Sequence, residues 1–143
     1  MALYFKCCAR YDKIMENGLV KKVTEAYLVD ALTHSEAECR FIEEVTPCIS
    51  GEFEVSVVKK TKIAEIFNPE SDKFYIVKVG FITIDEKTAQ EKRSISQILV
   101  GASDFKEAYD NFINGMKGTM ADFEIIGISE SPILEYFPRN LHS

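Results

Sequence analysis

Two stretches of the chain set aromatic rings beside cations at alternate positions. In "YFKCCAR", Tyr4, Lys6 and Arg10 fall on one parity, and in "FYIVK" Phe74 and Lys78 do the same. On an extended backbone a period of two puts such residues on one face. Rings for bases to stack on, with cations for the phosphates, are the equipment of a single-strand nucleic-acid platform. Lys59 and Lys60, followed by Lys62, add a basic run, and Lys87, Lys92 and Arg93 add another. Tyr4, Lys6, Arg10, Phe74, Lys78, Lys59 and Lys60 are therefore the candidate nucleic-acid contacts. A plainer reading stands beside this one. Lysine on an exposed strand also protects a sheet edge from pairing, and Tyr4 and Phe74 would serve equally to cover a core. Glu52, Glu54, Asp122 and Glu124 would repel a phosphate chain if they shared that face, so the placement of Glu52 and Glu124 decides between the readings.

Other reactive combinations lead nowhere. "GMKGT" (115–119) has the residue types of a phosphate loop, but it ends a helical stretch instead of opening one, and a C-cap with a turn accounts for it. Cys39 and His34 are five apart and share no helical face. Glu25 and Asp30 have opposite parity on one strand, so they are not a carboxylate pair. There is no Walker-type or dinucleotide glycine pattern. Four cysteines, Cys7, Cys8, Cys39 and Cys48, form no C-x-x-C pair, and only His34 and His142 could assist them. Reduced thiols are expected, with the inward ones acting as small core residues. No metal site, cofactor or catalytic constellation is expected, and the protein reads as a non-enzyme.

The elements that must position these residues are written twice. "KIAEIF" (62–67) is answered by "PILEYF" (132–137), and "GEFEV" (51–55) by "ADFEI" (121–125), each seventy positions on. "YLVDA" (27–31) is answered by "ILVGA" (98–102), and "EAECRFI" (36–42) by "EAYDNFI" (107–113), seventy-one on. Offsets this constant indicate an internal repeat, with copies at 1–67 and 74–137 and "NPESDK" (68–73) as the linker, inside a single domain of 1–143.

Each copy begins with an alternating aromatic and β-branched strand, 3–11 and 74–84, which places Phe5, Cys7, Ala9 and Tyr11, or Tyr75, Val77, Val79 and Phe81, inward. Asn17-Gly18 predicts a two-residue hairpin turn, and "DEKTAQEK" a longer one. Return strands follow at 20–31 and 94–102. Thr33 with Glu36, and Asp104 with Glu107, then open helices. Ala37, Phe41, Val45 and Cys48, or Ala108, Phe112 and Met116, form their inner stripes, and Pro47 and Gly118 mark their ends. Third strands occupy 52–60 and 122–130. The apolar tails at 63–67 and 133–137 either pack one copy on the other or continue as edge strands. The expected fold is α+β and two-layered: a duplicated β-β-α-β unit forming one mainly antiparallel, roughly six-stranded sheet with both helices on one face and the other face open.

The 143 residues, with a formal charge of −6, argue against a protein that binds nucleic acid over its whole surface but leave room for a basic groove. No apolar run approaches the length needed to span a bilayer, and "MALYFKCCAR" is not a signal peptide. A cytoplasmic location and no membrane partner are expected.

"KKVTEAYLVDA", "ISGEFEV" and "GMKGTMADFEI" together resemble a family of domains of unknown function, common in Bacteroides-type gut bacteria and their phages, over nearly the whole chain. The resemblance carries no catalytic residues. Its phage setting implies a role in DNA metabolism such as single-strand binding. The expected partners are single-stranded DNA or, alternatively, a homodimer mate or another protein docked on the open sheet face.

Overall fold

A computed structural model of the chain describes residues 3–119 and 122–138. His142 and the first residue of "ADFEI", Ala121, lie outside the described residues. The strands are β1 (Tyr4–Ile14), β2 (Val20–Asp30), β3 (Phe53–Lys60), β4 (Ile63–Phe67), β5 (Phe74–Ile84), β6 (Glu91–Gly101), β7 (Asp122–Ser131) and β8 (Ile133–Phe137). The helices are α1 (His34–Val45) and α2 (Phe105–Met116), and α1 runs into a short 3₁₀ turn, Thr46–Cys48. The chain is thus α+β and dominated by sheet.

The strands do not form the single sheet expected. They form two four-stranded mixed sheets, ordered β3-β1-β2-β8 and β4-β6-β5-β7. The chain divides into two compact units, one of 1–61 with 132–143 and one of 62–131. In each sheet three strands are antiparallel and the fourth, β8 or β4, adds parallel to the outer edge of β2 or β6.

The correction has a simple cause. β2 and β3 both run antiparallel to β1, and Lys60 at the end of β3 lies opposite Phe5, which lies opposite Val29. A strand parallel to β2 must start level with Ala26, three strand positions away, a sideways distance of about 14 Å. Only Thr61 and Lys62 separate β3 from β4, and the three Cα steps from Lys60 to Ile63 reach about 11 Å at most. The tail cannot fold back onto its own sheet. Pro132 alone joins β7 to β8, so the second tail is under the same constraint. Each tail completes the sheet built from the other stretch of chain.

In the first unit α1 covers the face bearing Phe5, Cys7, Ala9, Tyr27 and Val29, and contributes Ala37, Phe41 and Val45 to the core. Phe137 of β8 stacks on Tyr27, with centroids 5.4 Å apart and planes 10° apart. In the second unit Val77, Val79, Ile98 and Val100 pack with Phe112 and Met116 of α2. The inward parity expected for β1 and β5 is the one found. Both helices start as expected, with Thr33 Oγ1 accepting from Glu36 N at 3.1 Å and Asp104 Oδ1 from Glu107 N at 2.8 Å.

Three local expectations are corrected. Cys48 is exposed, because Pro47 turns the chain into a 3₁₀ turn and Ile49 takes the buried place. The β1–β2 turn is a three-residue loop: Gly18 N bonds Met15 O, Met15 N bonds Leu19 O, and Gly18 alone adopts positive φ, +84°. That is a type I turn closed by a left-handed glycine, not a two-residue turn. β1 and β6 also run longer than expected, the hairpins extending as paired strands past the core, to Ile14 and from Glu91.

Candidate nucleic-acid interface

Tyr4, Lys6 and Arg10 lie on the face of β1 turned away from α1, as their parity requires. Register adds Lys59 to that face: Lys6 and Lys59 are directly opposite each other on β1 and β3. Like charges placed so disfavour the strand pair, and among the described residues neither Lys6, Lys59, Lys60 nor Arg10 forms an ion pair. Lys60 faces Phe5 and so projects to the helix side. Tyr4 is half-buried, its ring edge-on to Tyr136 of β8 at 6.0 Å. Burial, reinforced by the carboxylate of Asp30 within 3.5 Å of the hydroxyl, pushes the Tyr136 phenol well above its ordinary range.

The second unit differs. Phe74 is on the matching face but has no exposed surface at all. Its ring is a core group and cannot serve as a stacking surface, a correction to the sequence expectation. Leu28 and Leu99, on the faces away from the two helices, are also fully buried, so those faces are not open along their middles. Strand alternation reports parity, and parity does not report whether a face is covered. Lys78 is exposed, opposite Gln97 and Gly127.

Both deciding acids stand beside candidate cations, Glu124 near Lys78 and Glu52 near Arg10, the placement that counts against nucleic acid. Glu124 lies opposite Gly80 on the face of Lys78 and is ion-paired with Arg93. A Cβ on Gly80 would come 3.1 Å from the Arg93 side chain, so the missing side chain is the trough through which Arg93 reaches Glu124. Two other cations of the second unit, off that face, are also paired: Lys73 with Glu130 at 3.4 Å and Lys92 with Asp85 at 3.7 Å. On the first unit Glu54 sits opposite Arg10. Glu52, Glu54 and Asp12 line a shallow hollow of about 260 Å³ with Arg10 and Lys22. Its three carboxylates do not suit a phosphate group, and its size falls below the usual range for an enclosed ligand. Among the described residues two lysine pairs face each other without an ion pair, Lys6 with Lys59 next to Tyr4 and Lys13 with Lys21 on the β1–β2 hairpin.

A family of domains described only as being of unknown function, DUF4494, matches residues 3–139. The chain belongs to the DUF4494 family. The search of curated proteins and the search of solved structures found no match.

In this DUF4494 chain no group of three or more His, Cys, Asp or Glu among the described residues could hold a metal ion. Cys7 and Cys8 are buried and Cys39 and Cys48 exposed, all with free thiols. Burial, with Cys8 and Glu38 adding to it, pushes the Cys7 thiol up to about 12. No described helix is long and apolar enough to cross a membrane.

Two features escaped the motif reading. The tip of the β1–β2 hairpin exposes Ile14, Leu19 and Val20 at 75%, 66% and 64%, with Ile14 and Val20 directly paired. Arg40 of α1 donates to the carbonyl of Asp30 at the end of β2 and to that of Pro138 just past β8, the latter at 2.6 Å. The unbroken alternation of Lys13-Ile14 and Leu19-Val20 beyond the core could have flagged the first. Nothing local marks Arg40, whose partner is 98 positions away.

Proposed function

We propose that this DUF4494 chain is a small non-enzymatic binding protein that takes the backbone of a single-stranded nucleic acid along β1 and β3 of its first unit. Lys6 and Lys59 neutralise phosphates and Tyr4 offers the ring, while Lys60, on the helix side, and Arg10, opposite Glu54, have no part in it. The observation that carries the reading is the Lys6–Lys59 pair: two cations held face to face with no carboxylate between them, an arrangement that an anionic strand relieves. Phe74 has no part in it, and Lys78, beside the Arg93–Glu124 pair, is peripheral. A cytoplasmic role in phage or mobile-element DNA metabolism belongs to the same proposal.

The test is fluorescence anisotropy of a labelled oligonucleotide at low and physiological salt, with a duplex control. Saturable, salt-weakened binding that prefers the single strand is expected. Lys6→Ala and Lys59→Ala should each lower the salt slope by about 0.7, the value of one phosphate contact on a single strand. No binding at low salt would remove the reading.

A second reading rests on the exposed Ile14, Leu19 and Val20 at the hairpin tip, a surface suited to a protein partner or to assembly. Light scattering of wild type against Ile14→Lys, with a mass that falls on substitution, would support it.

The recurring order β-β-α-β-β, the matching caps and the matching bulges, between Cys8 and Ala9 and between Lys78 and Val79, support reading 1–67 and 74–137 as two copies of one unit within a single domain.

A further inference from the structure

β8 is a short arm that completes a sheet to which it is joined by a distant part of the chain. It holds on by parallel pairing from Ala26↔Ile133 to Val29↔Phe137, by burial of Ile133 and Phe137, by the Tyr27–Phe137 and Tyr4–Tyr136 ring contacts, and by Arg40 clasping Asp30 and Pro138. All of these contacts lie inside the first unit. None depends on which polypeptide supplies β8. The connector is the single residue Pro132, too short to fold the arm back on the sheet it leaves.

The socket is also selective. In the second unit the matching place at the end of β4 is built from glycine and asparagine. Asn68, at φ 52°, and Asn111 both donate to Gly101 O, at 3.0 and 2.9 Å. A Cβ on Gly101 would lie 2.0 Å from Asn68 O. Asp30 stands where Gly101 does in the register of its sheet, and Arg40 reaches its carbonyl where Asn111 reaches that of Gly101. The β2 edge therefore takes β8 and not β4.

We infer that the outer edge of β2 is an interaction site for the β8 arm of a second copy of this chain, so that two chains dimerise by reciprocal exchange of residues 132–138. The exchanged dimer keeps each of these first-unit contacts, so protein concentration sets the balance. This inference is independent of the nucleic-acid reading.

Asp30 and Pro138 lie one step beyond the Val29↔Phe137 pair, within disulfide reach for neighbouring strands. In a Cys39→Ser, Cys48→Ser background, one chain carries Asp30→Cys and another Pro138→Cys. The two are unfolded together and refolded at ~1 mM, the order of the effective concentration of an arm on a short tether, then oxidised. A covalent heterodimer is expected, falling at least about tenfold when refolding is done a thousandfold more dilute. A single chain carrying both substitutions should form the bond within itself at high dilution. If it does and the mixed chains give no heterodimer, exchange does not occur. If the doubly substituted chain forms no bond, β8 does not sit on β2 and the inference falls with it. A dimer by mass without the cross-link would mean a surface contact and would overturn the inference equally.

Discussion

A buried thiol and a hydrogen-bonded phenol set this protein's response to alkali. The Cys7 thiol ionises near 9.0 in an unfolded chain and is pushed to about 12 in the fold, chiefly by burial. The Tyr11 phenol moves from 10.0 to about 12 because it donates to the Glu25 carboxylate at 2.6 Å. A raised pKa in the folded state means the unfolded state loses its proton first. The stabilisation is complete below the unfolded value and is lost as pH climbs through the folded one. Stability should therefore fall between pH 9 and 12, the thiol acting first and the tyrosines from pH 10. Cys7→Ala should make that decline shallower by up to about 1.4 kcal/mol per pH unit, measured by denaturant titration at successive pH values, and an unchanged slope would rule the thiol out. The identities of these residues were plain in the sequence. That Cys7 faces α1 while Cys8 faces the other way followed from adjacency on a strand, whereas the Tyr11–Glu25 bond needed the hairpin register.

At the scale of elements, the helices are the best-determined parts. Their caps, ends and, Cys48 apart, their stripes follow from Thr33, Asp104, Pro47 and the apolar spacing, all local signals. Gly115 is a different case. In the sequence it belonged to a phosphate-like "GMKGT". In the structure a Cβ there would meet the Phe67 ring at 2.5 Å, so its role is to let β4 approach α2. Gly115→Ala should destabilise the second unit by about 1–3 kcal/mol through overpacking, whereas Gly127→Ala, which meets nothing within 4 Å, should shift stability much less. Thermal unfolding of the two variants makes the comparison, and equal losses would contradict the packing argument. The tails were legible as apolar segments, an edge strand being one of two readings, and not as members of a particular sheet. Ile63–Phe67 and Ile133–Phe137 carry the right composition, yet their partners are set by what two connector residues, or one, can span.

For the whole molecule, the exchanged tails bear on cooperativity. One unit is assembled from residues 1–61 and 132–143, the other from 62–131, so the chain leaves the first unit after residue 61 and returns to it at residue 132. Thermal and denaturant unfolding should be a single transition by fluorescence and by circular dichroism. Two separable transitions would mean that the units fold independently. Phe137→Ala removes a buried ring stacked on Tyr27 and should cost about 3–5 kcal/mol, lowering that one transition as a whole. Residue types, strand parity, helix caps and the cationic character of Lys6, Arg10 and Lys59 were determined by the sequence alone, because each depends on the residue itself or on neighbours a few positions away. The tertiary structure decided that Phe74 is buried, that Glu124 belongs to Arg93, that Lys6 meets Lys59 and that the tails change sheets. Each of these depends on which strands become neighbours, and strand order is fixed by connector reach, not by the local pattern.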